Sequence, residues 1–462
     1  MQQFGVIGLS VMGKNLALNI KSHGFSVAAF SIDKPEVDAM QKYADDSLLP
    51  VYTWEDLVKN LEKPRKILVM IQAGKPVDLT LDKLSTLLEP GDIVIDGGNS
   101  NYHDTNRRVK AMKEKGIDFI GMGVSGGETG ALNGPALMPG GDEAAYKRVQ
   151  PIVEAIAAKT DDGRPCVSYI GPEGSGHYVK MVHNGIEYAI MQVLAEVYDL
   201  MRTVGHMDNK AMSQTFADWY HDKVDAYLVE ISAKVLAQKD DLTDDDVIDH
   251  ILNVASYKGT GNWMLEDGIV LGAPISMIAE AVIGRFMSKQ TLRLGQAPVS
   301  DEKVPDNFVS NLQDALNLAQ AVAYAQGFGQ LHLAAEAYDW DLRYSAIAQN
   351  WEAGCIIRSG MLKQIEKAFD NAKAPVKTLF QTPEFAKQLK DELPALRKMV
   401  ALGAQAGVPV PTLSAALTYL DSIFNPRLPQ NLIQGQRDYF GAHTYLRNDR
   451  EGVYHTEWYE EK

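Results

Sequence analysis

Between Gly176 and Tyr188 the chain reads GHYVKMVHNGIEY. In a helix, Lys180, Asn184 and Glu187 fall at i, i+4 and i+7 and share one face, with His183 adjacent. An amine and a carboxylic acid on one ridge can take and give protons at a single substrate. The lysine must then be neutral, which burial or nearby positive charge achieves by lowering its pKa. The alternative is a solvated charged stripe. His183 and Glu187 also have the spacing of two metal ligands, but no third ligand stands at a recognisable distance in sequence, so no metal is expected.

Other groups could hold a polar, anionic substrate. DGGNS (Asp96–Ser100) and VSGGETG (Val124–Gly130) end apolar runs with exposed polar groups and free backbone N–H donors. They suit carboxylate or hydroxyl binding, and equally plain tight turns. KGTG (Lys258–Gly261) puts a cation, a hydroxyl and backbone donors together. Arg285 lies in the apolar run AEAVIGRFM, where a guanidinium needs an anionic partner, either a ligand or a neighbouring carboxylate.

A second chemistry is written at the start. Residues Phe4 to Asp33 give a short apolar run, then Gly8, Ser10 and Gly13, a helical stretch, and a second apolar run, Val27–Phe30. In the order strand, glycine loop, helix, strand, the helix N-terminus presents unpaired N–H groups and a positive dipole end to a pyrophosphate. Ser10 replaces the middle glycine of the usual loop, which widens the backbone approach slightly. Asp33 follows the last loop glycine by about 20 residues, the place where a carboxylate accepts hydrogen bonds from an adenosine ribose.

These groups need a scaffold. Up to about residue 175, short β-rich runs alternate with amphipathic helices; Lys66–Ile71, Asp92–Gly98 and Asp118–Gly127 read as further strands ending in loops. Parallel strands would bring those loops to one edge of a sheet. After Gly176, helix-period stretches run to about residue 420, punctuated by loops such as Ala297–Asn307 and Gly407–Thr412. The last stretch, Gln434–Lys462, carries Tyr439, Phe440, Tyr445, Tyr454, Trp458 and Tyr459, too aromatic to stay loose in water. It should pack on its own chain or on a second subunit, taking Arg437 and His443 along.

Composition bounds the setting. At 462 residues, two or three domains are expected. The net charge of −15 argues against nucleic acid or an anionic membrane as partner. Cys166 and Cys355 lack CxxC spacing and suggest a reducing compartment. No signal peptide and no membrane span are read, so cytoplasm is the expected location.

Taken together, DGGNS, GVSGGETGA, GPALMPGG, GHYVKMVHNGIEY, KGTGNW and QRDYFGAHTY closely resemble the decarboxylating 6-phosphogluconate dehydrogenase family, in that family's order and over essentially the whole chain. The resemblance implies an α/β Rossmann-type dinucleotide-binding domain (1–175), a large all-α dimerisation and substrate domain (176–433), and an extended C-terminal tail (434–462) crossing to the partner of a homodimer. It implies oxidative decarboxylation of 6-phosphogluconate, with Lys180 as general base and Glu187 as general acid. Asn184 and His183 would contact the substrate near the reacting carbons. Asn99 and the backbone of Ser125, Gly126 and Gly127 would hold the sugar-acid end. Tyr188, Lys258, Thr260 and Arg285 would bind the phosphate, with Arg437 and His443 reaching in from the neighbouring subunit. The cofactor would lie on Gly8, Ser10, Val11, Met12 and Gly13, on Ser31, Ile32 and Asp33, and on Gln72, Ala73 and Asn99.

The chain departs from the family pattern after its second apolar run. Where an NADP-type member has Asn-Arg-Thr, this chain has Ser31, Ile32 and Asp33; Gln72 also stands where a lysine is frequent. A 2′-phosphate carries about −1.5 to −2 charges. A carboxylate ~4 Å away repels each by up to about 4 kcal/mol at an effective dielectric of 20, less when wet. NAD is therefore expected over NADP, unless Asp33 merely caps a turn and Lys34 or Lys75 restores phosphate binding. Rival readings are a 3-hydroxyisobutyrate-type β-hydroxyacid dehydrogenase, which would not need KGTG or the arginine-bearing tail, and a non-catalytic cofactor-binding protein.

Overall fold

A computed structural model describes residues 1–257, 259–292, 294–295 and 303–459. Seven strands form one sheet: β1 (Phe4–Ile7), β2 (Val27–Phe30), β3 (Leu48–Val51), β4 (Lys66–Val69), β5 (Ile93–Asp96), β6 (Asp118–Ser125) and β7 (Ala136–Gly141). Their order is β3-β2-β1-β4-β5-β6-β7. β1 to β6 pair in parallel, and β7 runs antiparallel to β6. The chain reverses its direction of travel across the sheet between β1 and β4, the switch point at which such sheets open a crevice for a ligand.

Alternation along each strand splits the apolar residues between two cores. Val6, Val27, Ala29, Leu68, Ile93 and Ile95 pack on one face with Leu16 and Ile20 of the helix Val11–Ser22. Ile7, Ala28, Phe30, Ile67, Val69 and Val94 pack on the other with Val77 and Leu81 of the helix Lys75–Leu84. Strands buried on both faces are what a parallel sheet covered by helices requires.

β3 and β7 were not legible as strands. Both are at the ends of the sheet, and both carry a proline, Pro50 and Pro139. Proline lacks a ladder donor, so it is confined to such edges, and its presence hides the strand signal.

The helix Ser175–Thr203 runs for 29 residues and is buried along most of its length. It meets the sheet through glycine. A Cβ added to Gly176 would lie 2.3 Å from the Met138 carbonyl, 2.4 Å from that of Gly121 and 2.6 Å from the Gly140 amide. A Cβ on Gly123 would lie 2.4 Å from the Lys180 Cβ. The glycines of β6 and β7 therefore let this helix settle on backbone. Replacing Gly176 with alanine should destabilise the fold by about 3 kcal/mol, since backbone cannot yield as a side chain can; chemical denaturation with and without the substitution measures it.

The second long helix, Phe308–Tyr338, is also buried nearly all round. The chain divides into two compact units, Met1–Ala416 and Leu417–Lys462. The junction expected at 175/176 falls inside the first, where the long helix begins. Most of the expected loop Ala297–Asn307 lies outside the described residues. In the second unit, the helix Gln430–Gly441 is followed by a two-stranded hairpin, Tyr445–Leu446 with Val453–Tyr454. Asp438, fully buried, accepts from the Thr444 and Thr456 amides, the His455 ring and the Trp458 indole at 2.8–3.0 Å. Burial alone would push its carboxyl up; those donors hold it at about 2. Among the described residues, no helix is long and apolar enough to cross a membrane.

Candidate active site

The sheet gathers the cofactor candidates on one edge. Gly8–Gly13 follow β1, Ser31–Asp33 follow β2, Gln72 and Ala73 follow β4, and Asn99 follows β5. Gly8 has φ +88°, and a Cβ there would lie 2.4 Å from the Met70 carbonyl; a Cβ on Gly13 would lie 1.8 Å from that of Gly8. The loop thus needs glycine at both places. Ser10 occupies the helix N-cap without a side-chain capping bond, leaving the first-turn N–H groups for an anion. These features fit a dinucleotide pyrophosphate.

At the end of β2, Ile32 is 83% exposed and Asp33 is exposed beside it. Asp33 stands at the N-cap of the helix Lys34–Met40, yet its side chain makes no capping bond. The simple turn-capping role is therefore not what its carboxylate does. The Lys34 ammonium lies 5.9 Å over the Tyr52 ring.

The DGGNS loop is held from behind. Asp96, buried, accepts from the Gly98 amide at 3.0 Å and the Ser100 hydroxyl at 2.6 Å, and pairs with buried Arg108 at 3.5 Å. Arg108 also donates to the Gly74 carbonyl at 2.9 Å, tying this loop to the one after β4. Asn99 is left exposed at its tip.

Lys180, His183, Asn184 and Glu187 share one face of the long helix, and the solvated-stripe alternative fails on burial. Lys180 and Asn184 are each 6% exposed and His183 is fully buried. The Lys180 ammonium or amine donates to Asn184 Oδ1 at 2.8 Å and lies 3.3 Å from His183 Nδ1. His183 Nε2 meets the Ser125 hydroxyl at 3.1 Å, and its Nδ1 lies 3.8 Å from Glu187 Oε2. Ser125 ends β6, so the helix face and the strand end converge; Gly126 and Gly127 follow with φ +138° and +61°.

The electrostatics match proton exchange. Burial lowers the Lys180 pKa, with the Glu187 charge opposing it. Burial raises that of Glu187, with Lys180 and Arg285 opposing. Burial, and then the Lys180 charge, push His183 well below its ordinary value, so its ring is neutral.

Further along this helix, Tyr188 lies under Arg285, whose guanidinium carbon is 3.6 Å from the ring centroid. Arg285 is 7% exposed. Among the described residues its Nε has no hydrogen-bond partner, and the rest of the group reaches the Ala281 carbonyl at 3.4 Å and the Met191 sulfur at 3.7 Å. Among the described residues no carboxylate pairs with it, so the internal salt bridge left open by sequence is absent. A Cβ on Gly261 would lie 2.6 Å from the Tyr188 ring, so the first turn of the helix Thr260–Leu271 lies against that ring. Lys258 lies outside the described residues. Arg437 and His443 belong to the second compact unit, where both are exposed.

Sequence reasoning missed the supports. Asp267, buried on the helix Thr260–Leu271, accepts from the hydroxyls of Tyr102 at 2.6 Å and Tyr338 at 2.9 Å, and also from Tyr178. It thereby joins the helix after Asn99, the helix bearing Lys180 and the helix starting at Thr260. Trp351 packs edge-on to His183 at 5.8 Å. Nothing in the spacing of these residues announces them.

Comparison with known proteins identifies the family. Residues 3–171 match the family described as NAD binding domain of 6-phosphogluconate dehydrogenase, and residues 176–458 match 6-phosphogluconate dehydrogenase, C-terminal domain. A Staphylococcus aureus protein named 6-phosphogluconate dehydrogenase, decarboxylating, is 47% identical over 468 residues, covering 100% of both chains. A Synechococcus elongatus protein of the same name is 46% identical, covering 99% of this chain and 100% of its own. A solved Plasmodium falciparum 6-phosphogluconate dehydrogenase, described in apo form, with NADP+ and with its substrate 6-phosphogluconate, superimposes with a TM-score of 0.94 at 40% identity, covering 99% of this chain and 100% of that one. The chain belongs to the 6-phosphogluconate dehydrogenase family.

Proposed function

We propose that this chain oxidatively decarboxylates 6-phospho-D-gluconate to D-ribulose 5-phosphate and carbon dioxide, with a nicotinamide dinucleotide as hydride acceptor. The observation that carries the reading is the helix face of buried Lys180 and half-buried Glu187 set against Ser125 at the sheet edge. Neutral Lys180 takes the carbon-3 hydroxyl proton as hydride leaves carbon 3. The 3-keto acid then loses its carboxylate, and Lys180, now an ammonium, stabilises the charge developing on the carbonyl oxygen. Protonated Glu187 delivers a proton to carbon 1. Asn184 and His183 orient the reacting carbons, and Ser125, Gly126, Gly127 and Asn99 hold the acid end. Tyr188, Thr260, Arg285 and Lys258 take the phosphate, whose binding holds the distant reacting atoms in register.

The enzyme would work as a homodimer, with Arg437 and His443 of each tail completing the neighbour's phosphate site, and in the cytoplasm. Exposed Leu432, Ile433, Phe440 and Leu446 support a partner covering the tail.

The cofactor reading is NAD over NADP. An exposed Ile32 stands where an arginine would meet a 2′-phosphate, and an uncapped Asp33 offers a ribose an acceptor. A steady-state assay with 6-phosphogluconate and each cofactor, following carbon dioxide release, should give kcat/KM at least tenfold higher for NAD. A tenfold preference for NADP ends that part of the reading; equal activity on unphosphorylated gluconate would favour the β-hydroxyacid dehydrogenase alternative.

A further inference from the structure

Behind Asp33 stands a second carboxylate that the motif does not include. Glu36 lies in the first turn of the helix Lys34–Met40. Its Oε2 accepts from the Leu9 amide, inside the glycine loop, at 3.0 Å and from the Ser31 hydroxyl, at the end of β2, at 2.7 Å. The Asp33 amide in turn donates to Ser31 Oγ at 3.2 Å. Three donors at the mouth of the crevice are thus spent inside the protein. Among the described residues Glu36 Oε1 has no hydrogen-bond partner.

We propose that Glu36 is a specificity-determining residue: by consuming the Leu9 and Ser31 donors it leaves a pocket dominated by acceptors for the adenosine end of the cofactor. The proposal rests on the NAD reading above. Ribose hydroxyls donate, so they satisfy Glu36 Oε1 and the Asp33 carboxylate. A 2′-phosphate only accepts and carries charge; it meets two carboxylates and finds the Leu9, Ser31 and Asp33 donors already taken. Glu36 therefore acts in two ways, by its own charge and by removing the neutral donors that could have served a phosphate. Asp33 alone would supply only repulsion, which salt and water weaken.

The test is Glu36→Gln, which keeps an oxygen for the Leu9 amide and Ser31 hydroxyl but replaces the charge with a donor. Equilibrium binding of AMP and of adenosine 2′,5′-bisphosphate is measured by calorimetry on the full-length protein, beside kcat/KM for both cofactors. E36Q should bind the bisphosphate at least tenfold more tightly than the wild type and gain a similar factor in kcat/KM for NADP, while AMP binds several-fold more weakly. Glu36→Ala, which frees the Leu9 and Ser31 donors outright, should also tighten the bisphosphate tenfold and serves if E36Q does not fold. If both variants stay within twofold of the wild type on the bisphosphate while Asp33→Asn shifts it, the Glu36 proposal is overturned and the NAD reading survives. If the wild type itself binds the bisphosphate tenfold more tightly than AMP, the NAD reading fails and the proposal goes with it.

Discussion

Lys180→Met should lower turnover of 6-phosphogluconate by about 10⁴-fold while leaving the dissociation constant for the nicotinamide cofactor within roughly twofold. The size follows from two roles lost together: a positioned base contributes about 10²–10⁴-fold, and a cation at a developing oxyanion a further 10²–10³-fold, the two overlapping because one group performs both. Methionine fills the buried space beside Gly123 without a charge, so binding and fold should persist. The pH profile of the unaltered enzyme gives an independent reading. Burial lowers the Lys180 pKa and raises that of Glu187, while the active form needs Lys180 neutral and Glu187 protonated. As pH falls through the Lys180 value the base is lost, and as it rises through the Glu187 value the acid is lost. Hence kcat/KM should be bell-shaped, and Glu187→Gln should flatten the alkaline limb. Turnover by K180M within tenfold of the wild type would remove Lys180 from the role of base.

How much of this was legible in the sequence follows from what each signal encodes. The helix face of Lys180, Asn184 and Glu187 was readable because helical periodicity is a local property of consecutive residues. The strands β1, β2, β4, β5 and β6 were readable because burial on both faces makes apolar runs. Edge strands β3 and β7 were hidden by proline. The roles of Asp96, Arg108, Asp267 and Glu36 depend on contacts between segments far apart in sequence, such as Tyr102 with Asp267 or Leu9 with Glu36, and no local pattern records them. Glycine is the instructive middle case. Gly121, Gly123, Gly140 and Gly176 were visible as motif letters, but only the packed structure shows that each omits a side chain so that the helix bearing Lys180 can lie against backbone.

The same contrast between a visible residue and an invisible environment governs Arg285. A buried guanidinium with an unpartnered Nε and, among the described residues, no carboxylate within ion-pair distance is costly unless an anion completes it, the Glu187 charge acting on it only from further off. Its stacking on Tyr188 at 3.6 Å fixes the plane of the group in advance, so a bound phosphate would find donors already aimed. Arg285→Met should therefore raise KM for 6-phosphogluconate by at least about 100-fold, since each charge-assisted hydrogen bond contributes about 1.5–3 kcal/mol and two are in reach of a planar fork. kcat should fall as well, by a smaller factor, because phosphate binding is what holds carbon 3 beside Lys180. Arg285→Lys should recover only part of the loss, as an ammonium keeps the charge but not the fork or the stacking geometry. The discriminating comparison is unphosphorylated gluconate: its residual turnover should be the same in R285M and wild type, because the contact removed is one that substrate never makes. Equal losses on both substrates would mean that Arg285 supports the fold around Tyr188, and the phosphate would have to be held elsewhere.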